Sequence, residues 1–250
     1  MNGTASVSDS NFTPAKTDCQ VHEVTLMGQD VYRVRLAPLE GDLPAFAAGQ
    51  YLALELPGAE PSWFSIASAP GDPQLTLHIQ VMSEGDSASE IISHLRSVGQ
   101  IRVNMPFGEA CFREAPAAPL LLVVAGTGFA QAKSVVEFLM DQRNPAPIFL
   151  YWGVRHHEDM YLRSLAQQWE QAWPGFHFRP VVGDDDDHGW TGHHDQLVRA
   201  LRADGHRLAE TQVLASGSPA MVYSVMDNLV EAGLPVSHFR SDVLQYAPRG

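Results

Sequence analysis

The hydrophobic pattern of this chain changes character once, near residues 113–119. Before that point, four segments alternate apolar and polar residues, and glycine and proline clusters separate them: residues 31–38, 50–57, 74–82 and 101–107. This period of two predicts an antiparallel barrel or sandwich. Beyond it, continuous apolar runs precede helical segments, at 120–126, 148–153, 176–183 and 212–217. Apolar strands that alternate with helices predict a parallel sheet covered on both faces.

The sequence therefore predicts an α+β protein of two domains, a Greek-key antiparallel β-barrel followed by a five-stranded parallel α/β domain. We expect a flexible tail over residues 1–16, the barrel domain over 17–115 and the α/β domain over 116–250. One helix interrupts the barrel. A capping box of Ser87 and Glu90 predicts its start, and Gly99 predicts its end.

Composition excludes several classes of function. The formal net charge of −13 argues against partners such as nucleic acid or anionic membrane surfaces. No apolar run approaches the roughly 20 residues that span a bilayer, and the polar N-terminus lacks the features of a signal peptide, so we expect a cytoplasmic protein. The only cysteines, Cys19 and Cys111, are too few to ligate an iron–sulfur cluster, which needs four thiolates.

One segment after a predicted strand carries the signs of a nucleotide site. In AGTGFAQAKS (125–134), Gly126 and Gly128 allow the backbone to approach a ligand, and the following helix offers free N–H groups to a pyrophosphate. Gln131 stands where the G-x-G-x-x-G fingerprint has its last glycine, so a plain tight turn is an equal alternative. The segment ASGSPAMV (215–222) is by itself an ordinary connection from a strand to a helix.

The acidic stretch VVGDDDDHGWTGHH (181–194) invites a metal interpretation. Adjacent aspartates point in different directions, whereas calcium loops space their ligands at alternate positions. We therefore interpret the stretch as a solvated loop and expect no metal site.

The stretch PSWFSIASAP (61–70) is ambiguous from its residues alone. In an extended chain, Trp63 and Ser65 point to one face and Phe64 and Ile66 to the other, so both faces are mixed. The stretch is either a short core strand or the wall of a site for a flat aromatic ligand.

In their order, these segments resemble the ferredoxin–NADP reductase superfamily, and most closely its bacterial NAD(P)H:flavin oxidoreductases, which reduce free flavins. The resemblance runs from about Cys19 to Tyr246 and is carried by VYRVRLAP, AGQYLALEL, FSIASAP, LHI, PFGEACF, VVAGTGFAQAKS, IFLYWGVR, GWTG and SGSPAMV. It implies that the barrel binds a flavin and that the α/β domain binds NADPH or NADH.

The resemblance also implies a role for individual residues. In that family the strand equivalent to WFSIAS lies along the flavin ring, and the serine matching Ser65 hydrogen-bonds near flavin N5, where hydride arrives. The other implied flavin contacts are main-chain groups of Phe64, Ile66, Ala67, His78 and Ile79. The implied nucleotide contacts are Gly126, Thr127 and Gly128 at the pyrophosphate, and Gly217, Ser218 and Pro219 at the nicotinamide.

The chain departs from the family at two positions. Ser62 replaces an arginine that helps to hold the flavin phosphate, a charge-assisted contact worth about 1.5–3 kcal/mol. We therefore expect loose binding of FMN, FAD or riboflavin, unless Arg33 or Arg96 takes its place. Ser216 stands where many electron-transferring relatives carry a cysteine.

Arg155 bears on which nucleotide is used, because it ends the second strand of the parallel sheet. An acid at this place binds the ribose of NAD, whereas an arginine accommodates the extra phosphate of NADP. The alternative is a surface ion pair between Arg155 and Asp159. We expect both nucleotides to be accepted, with NADPH ahead by no more than about tenfold.

The function expected from this resemblance is NAD(P)H-dependent reduction of a flavin by hydride transfer. Reduced flavin would pass to a flavin-dependent monooxygenase, a luciferase or a ferric acceptor. The alternative is a reductase component with tightly bound FAD that passes electrons to a partner protein. A third interpretation is a nucleotide-binding regulatory domain without turnover.

Overall fold

A computed structural model describes residues 12–183 and 194–249 of the chain. The first half forms six strands and one helix: β1 (Ala15–Met27), β2 (Val31–Pro38), β3 (Tyr51–Glu55), β4 (Ser62–Ser65), β5 (Leu75–Gln80), α1 (Ser87–Val98) and β6 (Gln100–Phe107). The strands form one antiparallel sheet in the order β4-β3-β6-β1-β2-β5. Its two edges meet at an isolated bridge between Ile66 and Leu77, so the sheet curls into a barrel around an apolar core.

Two details of the barrel differ from the expectation. Strand β1 is absent from the four segments that the alternation marks, because a register shift between Val21 and Glu23 interrupts its period, and it begins at Ala15, inside the expected tail. The N-cap of α1 is Asp86 rather than Ser87. The Asp86 carboxylate accepts a hydrogen bond from the main-chain N–H of Ser89 in the first turn, and it also accepts from the N–H groups of Met82 and Ser83 in the preceding loop.

The second half alternates strands with helices: β7 (Leu120–Ala125), α2 (Phe129–Asp141), β8 (Ile148–Val154), α3 (Arg163–Ala172), β9 (Phe176–Val182), α4 (His194–Asp204), β10 (Gln212–Ser216), α5 (Pro219–Glu231), β11 (Phe239–Arg240) and α6 (Val243–Tyr246). The five strands are parallel, in the order β11-β10-β7-β8-β9. The predicted fold class, an antiparallel barrel followed by a parallel α/β layer, is confirmed.

The continuous apolar run of β7 follows from its position at the centre of this sheet. Leu122 and Val124 pack into a core with α2 and α3 on one face, whereas Leu121 and Val123 pack into a second core with α4 and α5 on the other. Both faces of β7 are therefore buried, and a strand of this kind has no polar side. None of the described helices combines the length and the apolar character needed to cross a bilayer.

The first turns of α2 lie between the two halves and connect them by polar contacts. The side-chain amide of Gln131 donates to the carbonyl oxygen of Gly49 at 2.7 Å, with further contacts to the Ala110 carbonyl oxygen at 3.2 Å and to Asp242 Oδ2 at 3.0 Å. Ser134 Oγ donates to the carbonyl oxygen of Ser68 at 2.8 Å. Gln131 and Ser134 are buried, so these contacts replace water at the junction.

We predict that Gln131→Leu destabilises the protein. Leucine has nearly the same volume, but it removes the Gln131 donor from two main-chain carbonyl oxygens and from Asp242 Oδ2, which costs about 1–3 kcal/mol of the free energy of unfolding. The same change at Gln168, exposed on α3, is the matched control. Urea unfolding of both variants measures the difference, and equal stabilities would show that the Gln131 bonds contribute nothing.

Candidate functional site

A cavity of about 580 Å³ opens between the barrel and the parallel layer. The barrel lines it with Tyr51 of β3 and with residues 63–65 of β4. The parallel layer lines it with Gln131 of α2, residues 215–217 at the end of β10, residues 241–243 and Tyr246. The cavity thus brings together segments that lie far apart in the sequence.

The ambiguous stretch 61–70 is both a strand and a wall of this cavity. Strand β4 is an edge strand that pairs with β3, with Ser65 opposite Tyr51. Trp63, Phe64 and Ser65 line the cavity, whereas Ile66, the next residue along, is fully buried in the barrel core. The mixed polarity of the stretch follows, because its first part borders a cavity and its last part packs inside.

The main-chain N–H groups of Ile66 and Ala67 form hydrogen bonds within the barrel. The N–H of Ile66 donates to the carbonyl oxygen of Gln50 at 3.0 Å, and the N–H of Ala67 donates to that of Thr76 at 2.7 Å. The carbonyl oxygen of Ala67 accepts from Lys133 Nζ at 3.1 Å. These groups support the wall of the cavity, which leaves Phe64 and Ser65 as the expected flavin residues that line it.

His78 and Ile79 also lie outside the lining of the cavity. Ile79 is fully buried in the barrel core. His78 is buried where β5 meets the parallel layer, and its Nδ1 lies 3.0 Å from the hydroxyl of Tyr161. Burial, together with the charges of Lys133 and Arg33, lowers the pKa of His78 to about 3, so its ring is neutral at physiological pH.

The expected nucleotide turn lies where the order of the parallel strands reverses. Strand β7 ends at Ala125 and is followed by a 3-10 turn, Gly126–Gly128, and then by α2. The next strand, β8, lies on one side of β7 and β10 lies on the other, which is the topological switch point where such sheets bind ligands. Helix α2 has no side-chain cap and no acid in its first turn, so its N-terminus favours an anion.

The two glycines of the turn have different surroundings. Gly126 has a φ of +53°, and a Cβ added there would meet open space. A Cβ added to Gly128 would instead collide with the main-chain carbonyl group of Ser216. Gly126 thus has free space beside it, whereas Gly128 lets the turn pack closely against the end of β10. Gly126, Thr127 and Gly128 all lie outside the lining of the cavity.

The residues that follow β10 also differ in their positions relative to the cavity. Gly217 lines the cavity, and a Cβ there would lie 3.2 Å from Cβ of Ala125. Ser218 and Pro219 lie outside the lining and begin α5: the Ser218 hydroxyl accepts from the N–H of Met221 at 3.3 Å, and Pro219 is in the first turn.

Arg155 is exposed directly after β8, at the same edge of the sheet as the turn. Asp159, which the sequence offers as its ion-pair partner, caps the 3-10 turn His157–Asp159: its carboxylate accepts from the N–H of His156 at 2.8 Å.

Among the residues that the structure describes, Asp242 is the one charged residue that lines the cavity. Burial raises the pKa of Asp242, against the hydrogen bonds from the N–H of Ala110 and from Gln131, which lower it. Burial and the nearby Asp242 charge also raise the pKa of Tyr51 and of Tyr246. A flat, uncharged ring system suits such a lining better than a phosphate does.

Neither arginine that could have replaced the family's phosphate ligand lines this cavity. Arg33 is paired with Glu23 on the neighbouring strand β1, with its Nη2 2.6 Å from Glu23 Oε1. The Arg96 guanidinium lies over the ring of Tyr32, 5.0 Å from the ring centre. Both side chains are engaged on another part of the barrel.

Several residues that line the cavity were not predicted from the sequence. Trp63 is 54% exposed and contacts Tyr51 and Phe107 edge to face, with ring centres 5.7 and 5.0 Å apart. Tyr246 is 63% exposed on the opposite side of the cavity. A tryptophan in a strand is a signal for a lining residue that the sequence offers. Asp242 and Tyr246 follow a two-residue strand, and no local sequence pattern marks them as lining residues. Residues 184–193 of the acidic stretch lie outside the described residues.

Comparison with known proteins identifies the family of the chain. A family profile described as an oxidoreductase NAD-binding domain matches residues 122–227. Reductase component 2 of terephthalate 1,2-dioxygenase from a Comamonas species is 33% identical over 92% of this chain and 69% of its own length. The NAD(P)H-flavin reductase of Aliivibrio fischeri is 31% identical over 80% of this chain and 86% of its own length. The chain belongs to the ferredoxin–NADP reductase superfamily.

Solved structures of this superfamily have the same fold. The cytochrome P450 reductase GcoB of Amycolatopsis superimposes with a TM-score of 0.80 at 24% identity, over 92% of this chain and 69% of that one. A ferredoxin–NADP⁺ reductase of Plasmodium falciparum superimposes with a TM-score of 0.75 at 12% identity, over 90% and 94%. As a member of the superfamily, the protein is an oxidoreductase whose parallel layer is the nucleotide-binding part.

We predict that Gly128→Ala destabilises the fold, because the new methyl group meets main-chain atoms that cannot rotate away. Overpacking of this kind costs about 1–3 kcal/mol of the free energy of unfolding. Gly175→Ala is the control: it also has an ordinary φ, and its closest new contact is the side chain of Trp173, at 3.3 Å. Thermal or urea unfolding compares the two, and a Gly128→Ala protein as stable as the control would contradict the close packing on Ser216.

Proposed function

We propose that the protein catalyses NAD(P)H-dependent reduction of a flavin: a hydride passes from the nicotinamide to the flavin, and the reduced flavin is released. The observation that carries this proposal is that one cavity is lined both by Ser65 on β4 and by residues 215–217 at the end of β10. These are the segments expected to hold the flavin and the nicotinamide. Hydride transfer between stacked rings needs positioning more than a general base.

The roles we assign follow the lining of the cavity. Ser65 orients the flavin and is the proposed catalytic residue, with Phe64 beside it. Gly126, Thr127 and the packing glycine Gly128 form the pyrophosphate turn. Gly217 borders the nicotinamide. Among the other expected residues, Ile66, Ala67, His78 and Ile79 support the flavin wall, Ser218 and Pro219 begin the helix beside the nicotinamide, and Arg155 receives the 2′-phosphate of NADPH.

We also propose a division of the chain between residues 115 and 116. This division assigns β4 with its Ser65 to the flavin domain and the Gly126–Gly128 turn to the nucleotide domain. The proposed substrate site then lies at the junction that Gln131 connects.

The charge of the cavity favours a flavin that diffuses in and out. Within the described residues, no lysine or arginine lines the cavity, so the phosphate of FMN or FAD has no cationic partner there. NAD(P)H-flavin reductases from Aliivibrio fischeri and Vibrio harveyi are among the relatives. The proposed acceptors of the reduced flavin are a flavin-dependent monooxygenase, a luciferase or ferric iron.

A reductase component with tightly bound FAD is the second candidate, because two relatives are reductase components of terephthalate 1,2-dioxygenase. The absorbance spectrum of the purified protein separates the two. We expect a colourless protein that oxidises NAD(P)H only when flavin is added. A yellow protein that reduces a partner without added flavin would support the second candidate instead.

We predict that Ser65→Ala lowers the rate of flavin reduction by about ten- to a hundredfold, since one hydrogen bond to a reacting centre is worth about 1.5–3 kcal/mol. Stopped-flow measurement of NAD(P)H oxidation at saturating flavin checks this. Ser62→Ala is the control, because Ser62 belongs to the same strand but does not line the cavity.

The control is expected to keep the parent rate. Equal rates for Ser65→Ala and the parent would remove Ser65 from the mechanism. A parent protein that binds nucleotide but never turns over would instead support the regulatory interpretation.

We predict that Ser62→Arg tightens the binding of flavins that carry a phosphate and leaves the binding of riboflavin unchanged. A guanidinium on a phosphate contributes about 1.5–3 kcal/mol, so the dissociation constant for FMN is expected to fall about ten- to a hundredfold. Riboflavin has no phosphate, and its affinity is expected to be unchanged. Fluorescence titration with both flavins measures this, with Ser62→Gln as the uncharged control of similar length. An equal gain for riboflavin would show that the new side chain acts on the ring.

A further inference from the structure

Trp152 is a buried residue whose polar atom contacts the nucleotide turn. It lies near the end of β8, opposite Val124 in the register with β7, and none of its surface is exposed. Its indole N–H donates to the main-chain oxygen of Gly126 at 3.0 Å. Its ring stacks on Phe129, the first residue of α2, with ring centres 3.9 Å apart and planes at 15°. One side chain therefore holds the start of the turn and the start of the helix.

The contact fixes the orientation of a peptide group. The Gly126 oxygen also accepts from the N–H of Phe129, so both of its lone pairs are used. In a planar trans peptide, the carbonyl of one residue and the N–H of the next point in opposite directions. Because the Gly126 carbonyl points toward the buried indole, the N–H of Thr127 points away from Trp152.

The turn is held from its other side as well. Gly128 packs against the main chain of Ser216, on the strand that lies on the opposite side of β7 from Trp152. Gly126 has a φ of +53° and open space beside it, so two hydrogen bonds, from the N–H groups of Phe129 and Trp152, hold its carbonyl group rather than side-chain packing. Loss of the indole N–H would therefore leave the Gly126 carbonyl oxygen held by the Phe129 N–H alone, while the Gly128 contact stays in place.

We propose that Trp152 is a positioning residue for the pyridine nucleotide: it fixes the Gly126 carbonyl so that the N–H of Thr127 is directed at the pyrophosphate before the nucleotide binds. The inference rests on the proposed function, since it takes the turn as the pyrophosphate site. A donor oriented in advance binds more tightly, because no free energy is lost in ordering it.

The matched variants are Trp152→Phe and Trp169→Phe. Both shorten a buried tryptophan that stacks on Phe129, because the Trp169 ring lies 5.9 Å from the Phe129 ring at 19°. Only Trp152 donates to the turn, and within the described residues the Trp169 indole makes no hydrogen bond to it. The pair therefore separates loss of the hydrogen bond from loss of aromatic packing.

Two measurements are expected to change in Trp152→Phe and not in Trp169→Phe. The first is amide hydrogen exchange of the turn in the ligand-free protein, which is expected to accelerate about three- to tenfold with the loss of one hydrogen bond. The second is the dissociation constant for NADP⁺ and NAD⁺, expected to rise about three- to tenfold, with flavin affinity unchanged.

The proposal is overturned if both variants weaken nucleotide binding equally, or if Trp152→Phe matches the parent in both measurements. Exchange of the indole N–H in the parent protein provides a test that needs no variant to fold. The N–H of Trp152 is expected to exchange far more slowly than that of the half-exposed Trp63, and equal rates would overturn the proposal. A parent that binds neither nucleotide contradicts the proposed function, whereas the exchange measurements still decide whether Trp152 holds the turn.

Discussion

The burial of polar side chains in the first turns of α2 is the constraint on which the rest of the site depends. Gln131, Lys133 and Ser134 all contact the main chain of the barrel from this one helix. Hydrogen bonds are directional and a buried donor without a partner is costly, so these contacts allow only a narrow range of orientations between the two halves. The same helix starts at the Gly126–Gly128 turn. The distance between the turn and β4 is therefore set by the fold before any ligand binds.

Ser62 stands where the family has an arginine, and the other cations of the barrel decide whether that loss affects the binding of a flavin phosphate. A missing arginine could be replaced by another cation, but Arg33 pairs with Glu23 and Arg96 lies over Tyr32. Among the described residues, the cavity is lined by aromatic, hydroxyl and small apolar groups, the amide of Gln131 and one partly buried acid, Asp242. Such a lining recognises a ring by its flat faces and by a few hydrogen bonds, and its described residues offer an attached phosphate no lysine or arginine. This lining is the reason for proposing that the flavin is a substrate rather than a tightly bound cofactor.

Much of the fold could be predicted because its signals are local. The apolar run of β7 and the alternation of β2 each report how many faces of a strand are buried. Strand β1 was missed because its register shift breaks the period, and the cap of α1 was placed one residue late because Asp86 and Ser87 are both good caps. The register of a strand pair and the choice of a cap both depend on which groups form hydrogen bonds in the folded chain, and a sequence pattern contains no such distances.

The sequence by itself predicted the antiparallel first half, the parallel second half and the glycine turn between β7 and α2, because each depends on neighbours along the chain. Only the tertiary structure decided how these segments form a site. Gln131 stands where the dinucleotide fingerprint has its last glycine. Its side-chain amide donates a hydrogen bond to Asp242, 111 residues further along the chain. Gly128 faces Ser216, and Trp152 holds Gly126. Contacts of this kind join residues that only the packing of one sheet edge against a barrel brings together, so no local pattern could reveal them.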